Sequence, residues 1–140
     1  MAFTLLFTVF GVPSVFYGDE AGLEGYGDPF NRMPFPWGGE DLCLTEHYRK
    51  IGQIRRSNSV YKRGGLDVLL LTDDIFAFKR TEEGVSFITV FNNSEDEVSL
   101  SFSARAKEMI SGLWNDRFVL KKYECAIFKA KNNFLTVKRN

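Results

Sequence analysis

Beyond Gly64-Gly65 the apolar residues of this 140-residue chain recur at every second position, with turn signals spaced roughly eight to twelve residues apart. An antiparallel sandwich satisfies such a pattern, because each strand shows one face to a core and the other to water. Strands are predicted over Leu66–Leu71, Ile75–Arg80, Val85–Phe91, Glu97–Phe102, Glu108–Ser111, Arg117–Leu120 and Glu124–Lys129, with Phe134–Val137 as a further edge-strand candidate. In Phe76-x-Phe78, Phe87-x-x-x-Phe91 and Val98-x-Leu100-x-Phe102 the alternation turns one set inward and leaves Lys79, Ser99 and Ser101 outward or at the rim. Glu82-Glu83-Gly84 and Asn92-Asn93-Ser94-Glu95-Asp96 supply hairpin turns. Fourteen Phe, five Tyr and two Trp are enough aromatic surface to fill such a core.

Before the glycine pair the grammar differs. Leu44, Tyr48, Ile51 and Ile54 fall at helical spacing, so a helix is predicted over Leu42–Ser57 with Asp41 as its N-cap. Gly18 to Asp41 holds Pro29, Pro34 and Pro36 and has no sustained period, which reads as a long loop of the kind that carries function. Ala2 to Tyr17 is apolar, yet it lacks a basic leading region, falls short of the roughly 18–20 residues of a membrane span and is broken by Gly11-Val-Pro13. A short helix ending near Phe10, then a buried strand, is expected there. Tyr17-Gly18 leading into two acids is how a buried strand ends at a functional rim.

The order Gly11-Val-Pro-Ser-Val-Phe-Tyr-Gly-Asp-Glu20, then Asp28-Pro-Phe-Asn-Arg-Met-Pro-Phe-Pro-Trp37, closely resembles the closing part of the catalytic domain of alpha-amylase-family glycoside hydrolases, especially neopullulanase and cyclomaltodextrinase-like members. The resemblance implies a mainly β chain: a C-terminal antiparallel β-sandwich over 60–140, preceded over 1–59 by a remnant of a (β/α)8 barrel, namely its last strand, long loop and last helix. It also implies a parent enzyme that cuts alpha-1,4 or alpha-1,6 bonds of alpha-glucans or maltooligosaccharides with retention, through a covalent glycosyl-enzyme intermediate. A complete barrel needs about 250 residues, and the family's three catalytic carboxylates lie on earlier strands. The chain alone is therefore expected to be inactive, with no catalytic residue of its own.

Site residues follow from the same resemblance. The Asp-Pro-x-x-Arg element, here Asp28 and Arg32, binds a glucose unit on the non-reducing side of the cut. A carboxylate can accept from two vicinal hydroxyls while a guanidinium donates to sugar oxygens. Alternatively the two pair with each other and shape the loop, and both roles can coexist. Trp37, with Tyr26, Phe30 and Phe35, offers faces for pyranose stacking, or else packs the loop against the rim. Adjacent Asp19 and Glu20 fail the geometry of a retaining pair, whose carboxyl groups sit about 5–5.5 Å apart across the bond. They read as support for the floor of the site, with Glu20 accepting hydrogen bonds from barrel groups.

The remaining signals are bland. His47 is expected on the surface, without a partner acid. Arg49, Lys50, Arg55 and Arg56 read as a solvated helix face, with Arg55 or Arg56 bridging to the β half. Cys43 and Cys125 are expected as free, mostly buried thiols in a reducing, cytoplasmic setting. Lys plus Arg balance Asp plus Glu at 18 each, so nucleic acid and membrane are not expected partners. Metal-spaced ligands and cofactor motifs are absent from the sequence, so neither a metal nor a cofactor is expected. The rival reading is a free-standing carbohydrate-binding or protein-interaction module built on the sandwich. Trp114, after Gly112-Leu113, is its only Trp and is expected as an inter-sheet plug. Residues 1–20 are apolar enough that they should fold back on the Leu42–Ser57 helix, pair with a second copy, or aggregate.

Overall fold

A computed structural model describes residues 1–130 and 135–139. Seven antiparallel strands follow the helical segment: β1 (Gly65–Leu71), β2 (Ile75–Glu82), β3 (Val85–Asn92), β4 (Val98–Glu108), β5 (Trp114–Leu120), β6 (Cys125–Ala130) and β7 (Leu135–Arg139). Phe134 of the expected edge strand lies outside the described residues. The sheet order is β1-β2-β3-β6-β4-β5, and β7 adds to β4. Helices α1 (Ala2–Thr8), α2 (Leu42–Ser57) and α3 (Val60–Arg63) precede it. Asp41 caps α2 as its sequence predicts, accepting the Leu44 N–H at 3.0 Å.

β4 folds the sheet over on itself. Its first half pairs with β5 on one edge and β7 on the other, while Lys107 and Glu108 at its end pair with Lys129 and Phe128 of β6. An irregularity between Ser101 and Ala106 provides the bend. The expected separate strand at Glu108–Ser111 is not formed. Instead Glu108 closes β4, and its carboxylate accepts the N–H groups of Ile110 and Ser111 at 3.0 and 2.6 Å, which turns the chain away from the ladder. Between the two layers Phe128 meets Phe102 and Phe118 with ring centroids 4.8 Å away in each case. Around them pack Ile88, Val90, Val98 and Leu100, all fully buried.

Which face of β2 and β3 looks inward differs from the sequence reading. Ile75, Ala77, Ile88 and Val90 fill the inter-layer core, whereas Phe76, Phe78, Phe87 and Phe91 lie on the opposite face. Phe87 packs there beneath Tyr61, Ile51, Ile54 and Val60 of the helical layer. Both faces of these strands are covered, so alternation marks two buried sides rather than an inside and an outside.

Helix α1 forms and folds back on α2, Phe3 meeting Tyr48 at 4.1 Å between ring centroids. The expected strand after it does not form: residues 12–17 have no strand assignment, and Val12 and Phe16 are 93% and 61% exposed. A buried strand needs ladder partners on its edges, and no described strand lies beside this segment.

One side chain joins the layers. Arg80 of β2, 1% exposed, donates all five of its N–H groups to backbone carbonyls. Its Nη1 reaches Thr8 and Val9 at the end of α1, both at 3.0 Å; Nη2 reaches Val60 and Gly64 of the α3 turn at 3.0 and 2.8 Å; Nε reaches Gly65 at 3.2 Å. Arg55 of α2 grips the same helix end, donating to the Phe7 and Val9 carbonyls at 2.6 and 3.3 Å and to the Gly11 carbonyl. Carbonyls at helix C-termini carry partial negative charge, which compensates two guanidinium groups that pair with no carboxylate among the described residues. Burial pulls the pKa of each arginine below its ordinary value, and for Arg80 the neighbouring Arg55 charge adds to it. Gly64 is required by space: a Cβ there would sit 2.5 Å from the Val60 carbonyl oxygen and 2.8 Å from that of Thr81. Because lysine has only three donors and no planar fork, Arg80→Lys is expected to cost at least about 3 kcal/mol of unfolding free energy. A loss under about 1 kcal/mol in urea denaturation would remove Arg80 from this role.

Candidate functional site

Two hydrogen bonds pin the long loop into a tongue. At its base the Asp41 N–H donates to the Ala21 carbonyl at 2.9 Å, and farther out the Tyr17 hydroxyl donates to the Met33 carbonyl at 2.9 Å. The two limbs touch at Gly25, where a Cβ would lie 2.8 Å from the Asn31 Cα. Short turns close its tip, Phe30 N–H to Gly27 carbonyl and Arg32 N–H to Pro29 carbonyl, both at 3.0 Å, around a cis Asp28–Pro29 peptide.

Asp28 and Arg32 are brought together on that tip. Nε of Arg32 lies 2.6 Å from Oδ1 of Asp28 and Nη2 lies 3.4 Å from Oδ2, with side chains 73% and 61% exposed for Arg32 and Asp28. The loop-shaping pair therefore exists, and enough of both groups faces solvent to engage a ligand as well. An ion pair this exposed contributes about 0–1 kcal/mol to folding. Trp37 is 84% exposed and leans on Phe35 with ring centroids 4.5 Å apart. Tyr26 and Phe30 also stand in solvent. The tongue thus presents a charged fork and several aromatic faces to whatever approaches it.

Asp19 and Glu20 sit in a single 3-10 turn. The Glu20 carboxylate accepts the Gly18 N–H at 3.0 Å, and the Glu20 carbonyl accepts the Thr45 hydroxyl at 2.9 Å, tying the turn to α2. Glu20 braces its own segment rather than facing an opposed acid.

Other residues depart from their sequence readings. His47 is not a surface histidine: it is half-buried with Nε2 3.1 Å from the Thr4 hydroxyl, and burial, then the N-terminal amine and Lys50, lower its pKa. Arg55 bridges to α1 rather than to the β half, while Arg49 and Lys50 pair with Glu46 on the helix surface. Both cysteines are free, and Cys43 is exposed where burial was expected. Trp114 is no inter-sheet plug. It is 54% exposed and pairs with Lys107 at the end of β4, beyond the irregularity that follows Ser101. No helix among the described residues is long and apolar enough to cross a membrane, and no metal-ligating cluster occurs among them.

Known proteins that resemble the chain share this architecture. It is 37% identical over 113 residues to a cyclomaltodextrinase of Thermoanaerobacter pseudethanolicus, covering 79% of this chain and 20% of that protein. It is 30% identical over 139 residues to a maltogenic alpha-amylase of Bacillus acidopullulyticus, covering 93% of this chain and 24% of that one. The crystal structure of a maltogenic amylase from S. marinus matches 93% of this chain and 19% of its own, with a TM-score of 0.81 at 30% identity. No family model matches. These homologues are alpha-amylase-family glycoside hydrolases, and the folded-over sheet of this chain matches the C-terminal β domain of that family's amylases. It spans a quarter or less of the length of these relatives.

Two outcomes follow from the side-chain environments. Asp28→Ala should change unfolding free energy by less than about 1 kcal/mol, since the pair is exposed; a larger loss by chemical denaturation would make the fork a structural clamp. His47 has a folded-state pKa below the unfolded value of 6.5, so the unfolded chain binds the proton first as pH falls. Its contribution to stability is complete above that value and declines below it. Thermal melting from pH 8 to pH 5 should show this decline weakened in His47→Gln; identical pH profiles would contradict it.

Proposed function

We propose that the chain is the C-terminal part of an enzyme that cleaves alpha-1,4 or alpha-1,6 glucosidic bonds of alpha-glucans and maltooligosaccharides with retention, and that it has no glycosidase activity by itself. The observation that carries this reading is a mismatch of coverage: 93% of this chain aligns with a maltogenic alpha-amylase, but only 24% of that protein is used. Residues 1–59 are then the closing segment of the catalytic barrel and residues 60–140 its β domain. The chemistry agrees, since a retaining site needs two carboxyl groups on opposite sides of the scissile bond, and Glu20 is turned back on Gly18 beside Asp19.

Within that enzyme the tongue supplies part of the sugar site. The Asp28 carboxylate accepts from vicinal hydroxyls of a glucose unit, Arg32 keeps the carboxylate oriented and donates from its outer N–H groups, and Trp37 offers a face for the ring's C–H groups. Apolar side chains at Val12, Phe16 and Met33, exposed here, pack against the rest of the barrel. Without that barrel they draw a second copy of the chain together.

Replacing the C-terminal segment of the Thermoanaerobacter pseudethanolicus cyclomaltodextrinase with this chain should give an enzyme active on maltooligosaccharides. In it Asp28→Ala should lower kcat/KM about ten- to hundredfold, the equivalent of one charged hydrogen bond. A cooperatively folded chimera whose kcat/KM ignores that change would refute the sugar site, and reducing-sugar release by the pure chain would refute its inactivity. Light scattering should return a mass above the 16.0 kDa of one chain, rising with concentration; a strict monomer would rule out the self-contact.

A further inference from the structure

A second cleft lies in the β domain, away from the tongue. It measures about 500 Å3 and is lined by Glu83, Gly84, Val85, Arg105, Trp114 and Lys129, with Ala130 at its edge. We propose that this cleft is a separate carbohydrate-binding site that takes an oligosaccharide, one pyranose ring resting on Trp114.

The bend of β4 creates it. Beyond the irregularity between Ser101 and Ala106, Lys107 pairs with Trp114, which lines the cleft, and Arg105 beside it donates from Nη2 to the Trp114 carbonyl at 2.8 Å. That bond ties the Arg105 guanidinium to the backbone of Trp114, so both residues line the same cleft. Lys129 places its ammonium 5.7 Å from the Phe87 ring, which steadies a second donor. On the far wall Glu83 and Gly84 form the two-residue turn joining β2 to β3, with Glu82 paired to Val85. Glu83 there has φ 48°, a left-handed conformation that asparagine or glycine adopts with less strain. The two-residue hairpin imposes that conformation, and with it the Glu83 carboxylate stands on the wall of the cleft.

These groups fit a sugar better than other ligands. A pyranose has a C–H face for the indole, and hydroxyls that both donate to Glu83 and accept from Arg105 and Lys129. A phosphate would meet the Glu83 charge, and a hydrocarbon would desolvate three ions without pairing them. The volume lies within the roughly 300–1,000 Å3 of small-molecule sites. Choosing an alpha-glucan as the sugar rests on the proposed function; the placement of the site does not.

The chain's two Trp residues separate the sites, since Trp37 stands on the tongue and Trp114 in the cleft. Nitrogen-15 labelled chain gives two indole N–H resonances, assigned with Trp37→Phe and Trp114→Phe. Titration with maltoheptaose should shift the Trp114 resonance saturably, with a Kd of about 1 mM. Glu83→Asn should weaken that Kd about tenfold while leaving the melting temperature equal or higher. An unmoved Trp114 resonance at about 20 mM sugar, or an unchanged Kd in Glu83→Asn, overturns the proposal. A shift at Trp37 alone overturns the cleft; a saturable shift at Trp114 supports it whatever Trp37 does, and the tongue is judged by the chimera.

Discussion

A buried guanidinium surrounded by carbonyls is the hinge pin of this chain. Arg80 sits on the helix-facing side of β2, where its neighbours are aromatic, and it reaches the end of α1, the α3 turn and the junction glycines at once. A charge in that position is tolerated because five carbonyl dipoles stand in for the water it has lost. Its contacts join three separate pieces of the helical layer to β2. Arg55 can share the same helix end because the carbonyls are numerous enough for both, and Gly64 can have no side chain because the α3 turn and β2 meet there.

Strand positions were largely legible because alternation and turns are local properties. The Glu82–Gly84 hairpin, the Asp41 cap and the extent of α2 all depend on neighbours within a few residues. What could not be read was the third layer. Phe76, Phe78, Phe87 and Phe91 alternate correctly, but nothing local says that helices cover their side of the sheet and that Ile88 and Val90 face the other core. Nor does alternation reveal that β4 continues past Phe102 through an irregularity, which is why 108–111 resembled a strand of its own. The segment 12–17 has the composition of a buried strand, and composition cannot supply the neighbours that such a strand requires.

The residues of the two proposed sugar sites differ in how they stand in the sequence, those of the tongue being close together and those of the cleft scattered. Asp28 and Arg32 lie four residues apart in one proline-containing turn, short enough for the pairing to be weighed from sequence, and Trp37 stands exposed on the same loop. The cleft gathers Glu83, Arg105, Trp114 and Lys129 from four places in the chain, through strand pairings that no short motif encodes. Its one visible signal was a Glu in a turn where Asn is usual. Asn92 was hidden in the same way: it reads as a turn residue, yet its buried amide donates to the Asp96 and Lys121 carbonyls at 2.7 and 2.9 Å and fastens the loop by which the chain passes between layers.

Because β4 is hydrogen-bonded to β5, β6 and β7, one strand is common property of both halves of the sandwich. Neither half can melt while the other stays intact without tearing that strand's ladder. The β domain therefore behaves as a single cooperative block, in which slow amide exchange on β3 and on β5 reports the same opening event.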